Sequence, residues 1–206
     1  MSDPGAAVYP SRVSEMADVN GAGRAGKRDR LVAAAGDLMH RQGVQRTKIA
    51  EVAEAADVPP GNVYYYFKTR NDLVRAVIDT QAAQFSTMLA ALEGLPSPAD
   101  RLRALARSWD DMRDLVARHG CPVGNLSSEL GKNEDGLERY AAQSVNLIID
   151  WAEAQFRELG SPDPRDLAVT LLAGVQGAAL LANTLRDPRI MTRQVRHLEH
   201  WIDSLT

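Results

Sequence analysis

Apolar residues recur at steps of three and four from about residue 28 to the end of this 206-residue chain. No stretch shows the two-residue alternation, bounded by turn residues, that a half-buried strand needs. The pattern predicts an all-α protein. A first helix over about 28–42 sets Leu31, Ala34, Ala35, Leu38 and Met39 on one stripe and stops at Gly43, a residue suited to the left-handed geometry that ends helices. A second begins at Thr47, whose hydroxyl is a candidate cap for the free amides ahead of Ile49, Val52, Ala53 and Ala56. After Asp57 and Val58, Pro59 and Pro60 open a third helix that runs through Val63 to about Phe67, because a missing amide hydrogen costs little in a first turn. A fourth, about 71–92, turns Leu73, Val77, Phe85, Met88 and Leu92 inward.

Gly94, Pro96 and Pro98 punctuate the chain. A single helix is then expected over about 100–118, with Leu102, Leu105, Trp109, Met112 and Val116 on its inner face, followed by a turn-rich link over 119–125 and a short helix to Leu130. A long helix over about 135–159 buries Leu137, Ala141, Ile148, Trp151 and Phe156. The next, about 164–186, is apolar around much of its circumference and must be covered on more than one side; Gly174 and Gly177 permit close approach of another helix. The last, about 189–205, carries Met191, Val195, Leu198, Ile202 and Leu205 at heptad-like spacing. Leu171, Val175, Ala178 and Ala182 of one helix with Val195, Leu198 and Ile202 of the other are the candidate subunit interface. The expected organisation is a disordered arm over 1–26, a small helical domain over 27–72, and a larger helical domain over 73–206, with the break inside the fourth helix.

Composition narrows the class. An apolar fraction of 45% and a charged fraction of 25% are those of a globular chain. No apolar run reaches bilayer-spanning length, and the first residues lack the basic-then-apolar pattern of a secretory leader, so a cytoplasmic location without membrane association is expected. Cys121 is the only cysteine, which excludes an intrachain disulfide or a multi-cysteine zinc site; a small buried or pocket-lining residue is its expected role. His197 and His200 lie three apart with no third ligand nearby. Phosphate-cradling glycine loops, His-Glu-x-x-His pairs and nucleophile elbows are absent, so neither an enzyme nor a cofactor is expected. The net charge of −3 conceals an uneven distribution. Residues 24–70 hold nine basic and five acidic side chains, while the rest hold 15 and 22, as suits a protein that touches a polyanion with one end.

Two short helices joined by a tight turn have the geometry that inserts the second into a major groove. The string TKIAEVAEAADVPPGNVYYYFKTRNDL resembles the tetracycline-repressor (TetR) family signature at Thr47, Ile49, Ala50, Ala56, Val58, Gly61, Val63, Tyr64, Tyr66, Phe67, Arg70 and Leu73. Asp57 departs from the usual turn glycine, and Pro59 and Pro60 replace the usual cap. The resemblance implies that Val58, Val63 and Phe67 are core. Pro60, Gly61, Asn62, Tyr64, Tyr65 and Tyr66 then meet DNA, with Tyr64 divided between backbone contact and inward packing, and Thr47, Lys48, Lys68 and Arg70 meet phosphates. The stretch from Gly120 to Leu126 followed by Glu129 resembles the LmrA/YxaF-like branch. The family's last two helices form a dimeric four-helix bundle, and its C-terminal lobe encloses a small, often hydrophobic effector. Trp109, Met112, Cys121, Trp151 and Phe156 are the candidate pocket residues. The expected function is a homodimeric repressor released from a palindromic DNA operator by a small hydrophobic effector.

Overall fold

A computed structural model describes residues 26–132 and 136–206, so the expected arm lies outside the described residues except for Gly26. Among those residues there are ten helices and no strand: α1 (Lys27–Gln42), α2 (Ile49–Ala55), α3 (Pro60–Tyr66), α4 (Arg70–Leu92), α5 (Pro98–Asp111), α6 (Arg113–His119), α7 (Pro122–Leu130), α8 (Leu137–Glu158), α9 (Pro164–Leu185) and α10 (Arg189–Asp203).

Packing divides the described chain into two units. The N-terminal unit holds residues 26–83 together with the described part of Asn125–Ser144; the C-terminal unit holds Gln84–Gly124 and Val145–Thr206. Helices α4, α7 and α8 therefore each contribute residues to both. This division lies eleven residues beyond the 72/73 boundary expected from sequence and sends residues 125–144 back to the N-terminal helices, because it follows packing rather than chain order. In the N-terminal unit, Leu31, Val52, Ala53, Val63 and Phe67 share one core with Leu73, Val74, Ile78, Leu130 and Leu137. In the C-terminal unit, Trp109, Ile148 and Phe156 form the centre of a second core with Leu171, Val175, Met191 and Ile202.

Two expected elements differ. The helix expected over 100–118 is split at Met112, which leaves helical geometry (φ −96°, ψ 9°) between α5 and α6. Asp110 and Asp111 stand at the carboxyl end of α5, where their negative charge opposes the helix dipole; Asp111 is pushed above its ordinary pKa, first by desolvation and then by Asp110. The link expected over 119–125 is instead largely the start of α7, which Pro122 opens. Where sequence suggested no membrane-spanning length, α9 is long and apolar enough to cross a bilayer. It is a core helix: Ala168, Leu171, Leu172, Val175, Ala178, Ala179 and Ala182 are buried within the C-terminal unit.

Candidate DNA-binding surface

The α2–α3 corner is built by backbone bonds that any sequence could make and by one conformation that few residues adopt. Asp57 has φ 51°, its amide donates to the Glu54 carbonyl at 3.1 Å, and the Val58 amide reaches back to Ala53 at 2.9 Å. Aspartate tolerates this left-handed geometry better than most residues, at a cost of about 1 kcal/mol. Glycine would remove that cost and give back about half through its larger unfolded-state entropy, so Asp57→Gly is expected to raise stability by about 0.5 kcal/mol, read as a higher denaturant midpoint. The corner is also tied to α1, since Arg30 donates to the Asp57 carbonyl at 3.2 Å.

Helix α3 is seven residues long and opens on Pro60. Val63 and Phe67 are buried, as is Val58 before the helix, and all three join the core with Leu31 and Val52. That fixes which side faces out. Pro60, Gly61, Asn62, Tyr64 and Tyr65 are exposed, with Tyr65 at 76% and Tyr64 at 58%. A Cβ added to Gly61 would meet nothing within 4 Å, so nothing within the protein itself requires glycine there. Tyr64, divided in the sequence reading between two roles, faces solvent, while Tyr66 is half-buried against the core and meets the Tyr65 ring edge-on at 5.1 Å.

The flanking residues separate into two kinds. Lys48 and Lys68 are exposed, the latter donating to the Tyr64 carbonyl at 3.2 Å. Thr47 is buried and its hydroxyl donates to the Gly43 carbonyl at 2.8 Å, so it closes the α1–α2 turn instead of capping α2 or facing a phosphate. Lys48 is the residue ahead of α2, and the Glu51 carboxylate accepts its amide at 3.4 Å and the Gln42 side-chain amide at 2.8 Å. Those two bonds, the Gln42 bond first, hold Glu51 below its ordinary carboxylate pKa. Arg70 donates to the Val44 carbonyl. Two other residues of this region went unremarked in the sequence: Thr69 and Asp72 cap α4 reciprocally, at 2.9 and 3.1 Å, in the spacing of a capping box.

The family model for bacterial regulatory proteins of the tetR family matches residues 31–77, and that for the tetracyclin repressor-like C-terminal domain matches residues 98–198. The chain belongs to the TetR family. Transcriptional regulator AcuR of Cereibacter sphaeroides is 32% identical over 165 residues, 74% of each chain. The HTH-type transcriptional regulator TtgR of Pseudomonas putida is 36% identical over 188 residues, 86% of this chain and 88% of its own. A crystal structure of a regulatory protein TetR from Rhodobacter sphaeroides superposes with a TM-score of 0.75 at 27% identity, covering 84% of this chain and 97% of the other. This TetR-family protein is thus an all-α, DNA-binding transcriptional regulator and not an enzyme. The LmrA/YxaF-like branch is not distinguished by these matches.

In the TetR-family C-terminal unit, Trp109, Met112, Cys121 and Phe156 are buried in the core, whereas Trp151 is half-buried with its indole donating to Glu93 at 2.6 Å. The Trp109 Nε1 is buried with no acceptor among the described residues, and the Cys121 sulfur accepts from Gln176 at 3.4 Å. A surface recess of about 270 Å³ between Leu159 and Leu167 includes none of the five.

The seven interface candidates lie elsewhere than expected. Leu171, Val175, Ala178, Ala182, Val195, Leu198 and Ile202 are all buried inside the protomer's own core, so they are not free to meet a second copy. Gly174 does allow close packing of α9 on α10, with a built Cβ only 3.2 Å from Leu198. The outward face of α9 carries Val169, Ala173, Gly177, Leu180, Leu181 and Leu185, while that of α10 carries Arg189, Arg193, Arg196, His197 and His200. Sequence had the signal, an apolar helix needing cover on two sides, but assigned the wrong side outward.

Proposed function

We propose that the protein is a homodimeric repressor whose two α3 helices enter successive major grooves of a pseudo-palindromic operator, and which a small hydrophobic effector releases. The observation that carries this reading is the division of α3: Val63 and Phe67 anchor it from behind, and Gly61, Asn62 and Tyr65 stand in solvent. Asn62 has the donor and acceptor to read an adenine edge, and the tyrosines offer hydroxyls with apolar contact to thymine methyls. Lys48 and Lys68 are the phosphate contacts. DNA binding belongs to residues 27–72, and regulation and dimerisation to 73–206, in a cytoplasmic protein.

The second copy packs on the outward face of α9. Six small or apolar residues on one solvent-facing stripe are unusual for a monomer, and Ala173 and Gly177 let two backbones approach closely. The effector site is in the C-terminal unit. The Trp109 N–H, buried without an acceptor among the described residues, is costly, which suits an effector that brings a hydrogen-bond acceptor to it.

The test is fluorescence anisotropy on DNA flanking the protein's own gene, against scrambled DNA, across a salt series and with a panel of apolar compounds. Retention should be sequence-selective and fall steeply with salt, and at least one compound should reverse it. Equal affinity for both DNAs at all salt concentrations removes the operator-binding reading.

A further inference from the structure

We infer that Glu129, in α7, is a positioning residue for DNA binding supplied from outside the helix-turn-helix: its carboxylate grips the turn between α1 and α2 and thereby sets the amino end of α2 against the duplex. The inference rests on the DNA-binding reading above. The Val44 amide donates to Glu129 Oε2 at 2.8 Å and the Gln45 amide to Oε1 at 2.7 Å. Two successive backbone amides on one carboxylate form a bidentate, charge-assisted grip of the kind that anion-binding turns make.

The turn is shaped around that carboxylate. Gly43 has φ 89°, and a Cβ built there would lie 3.2 Å from Glu129 Oε2, so the carboxylate sits where another residue's side chain would be. Arg70 holds the Val44 carbonyl and the Thr47 hydroxyl holds that of Gly43. Lys48, exposed and directly before α2, follows Gln45 by three residues. Moving the turn therefore moves a phosphate contact.

Leu126 and Leu130, on the same helix as Glu129, are buried in the N-terminal core, whereas Pro122–Gly124 of α7 belong to the C-terminal unit. At that other end the Gln176 amide of α9 donates to the Cys121 sulfur and lies so close to Gly124 that a Cβ there would collide with it. The fraction of molecules with the turn held for DNA sets the apparent affinity.

Glu129→Ala and Glu129→Gln test this, with operator affinity read by anisotropy and amide exchange read by NMR. In Glu129→Ala, Val44 and Gln45 should lose nearly all their protection from exchange and operator affinity should fall about tenfold, as the fraction of molecules with the turn held drops to about a tenth; the amides of Val58 and Phe67 should keep their protection. Glu129→Gln, with one acceptor oxygen left, should fall between. The sign is decisive, because deleting an acidic charge near DNA would on electrostatics alone strengthen binding. Wild-type or higher operator affinity in the variants overturns the inference, and so does faster exchange at all four amides together, which would mark general loosening. Failure of the unmodified protein to select any DNA instead overturns the operator reading, and with it a role for Glu129 in DNA affinity.

Discussion

Replacing Leu180 and Leu181 together by aspartate is expected to give a folded monomer that has lost its operator. Both side chains stand in solvent on the protomer, at 67% and 52% exposure, so the change removes nothing from either core and the helical circular dichroism should persist. In the dimer, each pair of aspartates would be buried without partners and would face its symmetry mates. Burying even one unpaired charge costs several kcal/mol, enough to raise the dimer dissociation constant by about 1,000-fold or more. A dimeric regulator reads two half-sites one duplex turn apart, so the monomer should lose at least about 100-fold in operator affinity. Analytical ultracentrifugation and anisotropy report the two effects separately. The contrasting pair is Leu171→Asp and Leu198→Asp, buried at 2% and 5% exposure; these should unfold the C-terminal unit. A Leu180→Asp/Leu181→Asp protein that stays dimeric would place the interface elsewhere.

The second large effect lies on α3. Asn62→Ala and Tyr65→Ala should each weaken operator binding by about 10- to 100-fold, the worth of one good base contact, with nearly unchanged affinity for scrambled DNA and an unchanged melting temperature. Lys68→Ala should weaken both DNAs alike and reduce the salt slope by about one. Tyr66→Ala behaves differently because Tyr66 is half-buried against the N-terminal core; it should cost stability as well as affinity. Operator affinity that survives in Asn62→Ala and Tyr65→Ala alike would remove the recognition role from this face.

The helices were legible wherever local chemistry marks them. Gly43 ends α1, Pro60 opens α3, and the three-four spacing of Leu73, Val77, Phe85, Met88 and Leu92 gives the inner face of α4. The signature around α2 and α3 carried the family, and burial of Val63 beside exposed Asn62 and Tyr65 gives α3 an outward face. What was hidden depends on partners distant in sequence. Thr47 reads as a cap from its position, yet its hydroxyl turns back to Gly43; and the α1–α2 turn beside it is held by Glu129, more than eighty residues downstream, which no local pattern shows. The bend at Met112 involves neither proline nor glycine, so periodicity runs through it unbroken. The two faces of α9 are both apolar, and only the neighbouring helices decide which of them is interior.

The outward face of α3 is expected to lie in a major groove. Guanine N7 opens only into that groove, so dimethyl sulfate protection on the selected operator tests the claim most directly. The expected result is two patches of guanine N7 protection about one helical turn apart on one face of the duplex, both weakened in Asn62→Ala or Tyr65→Ala as the bound fraction falls. Retention of the operator with no guanine N7 protected, or with a pattern that neither substitution alters, would contradict it.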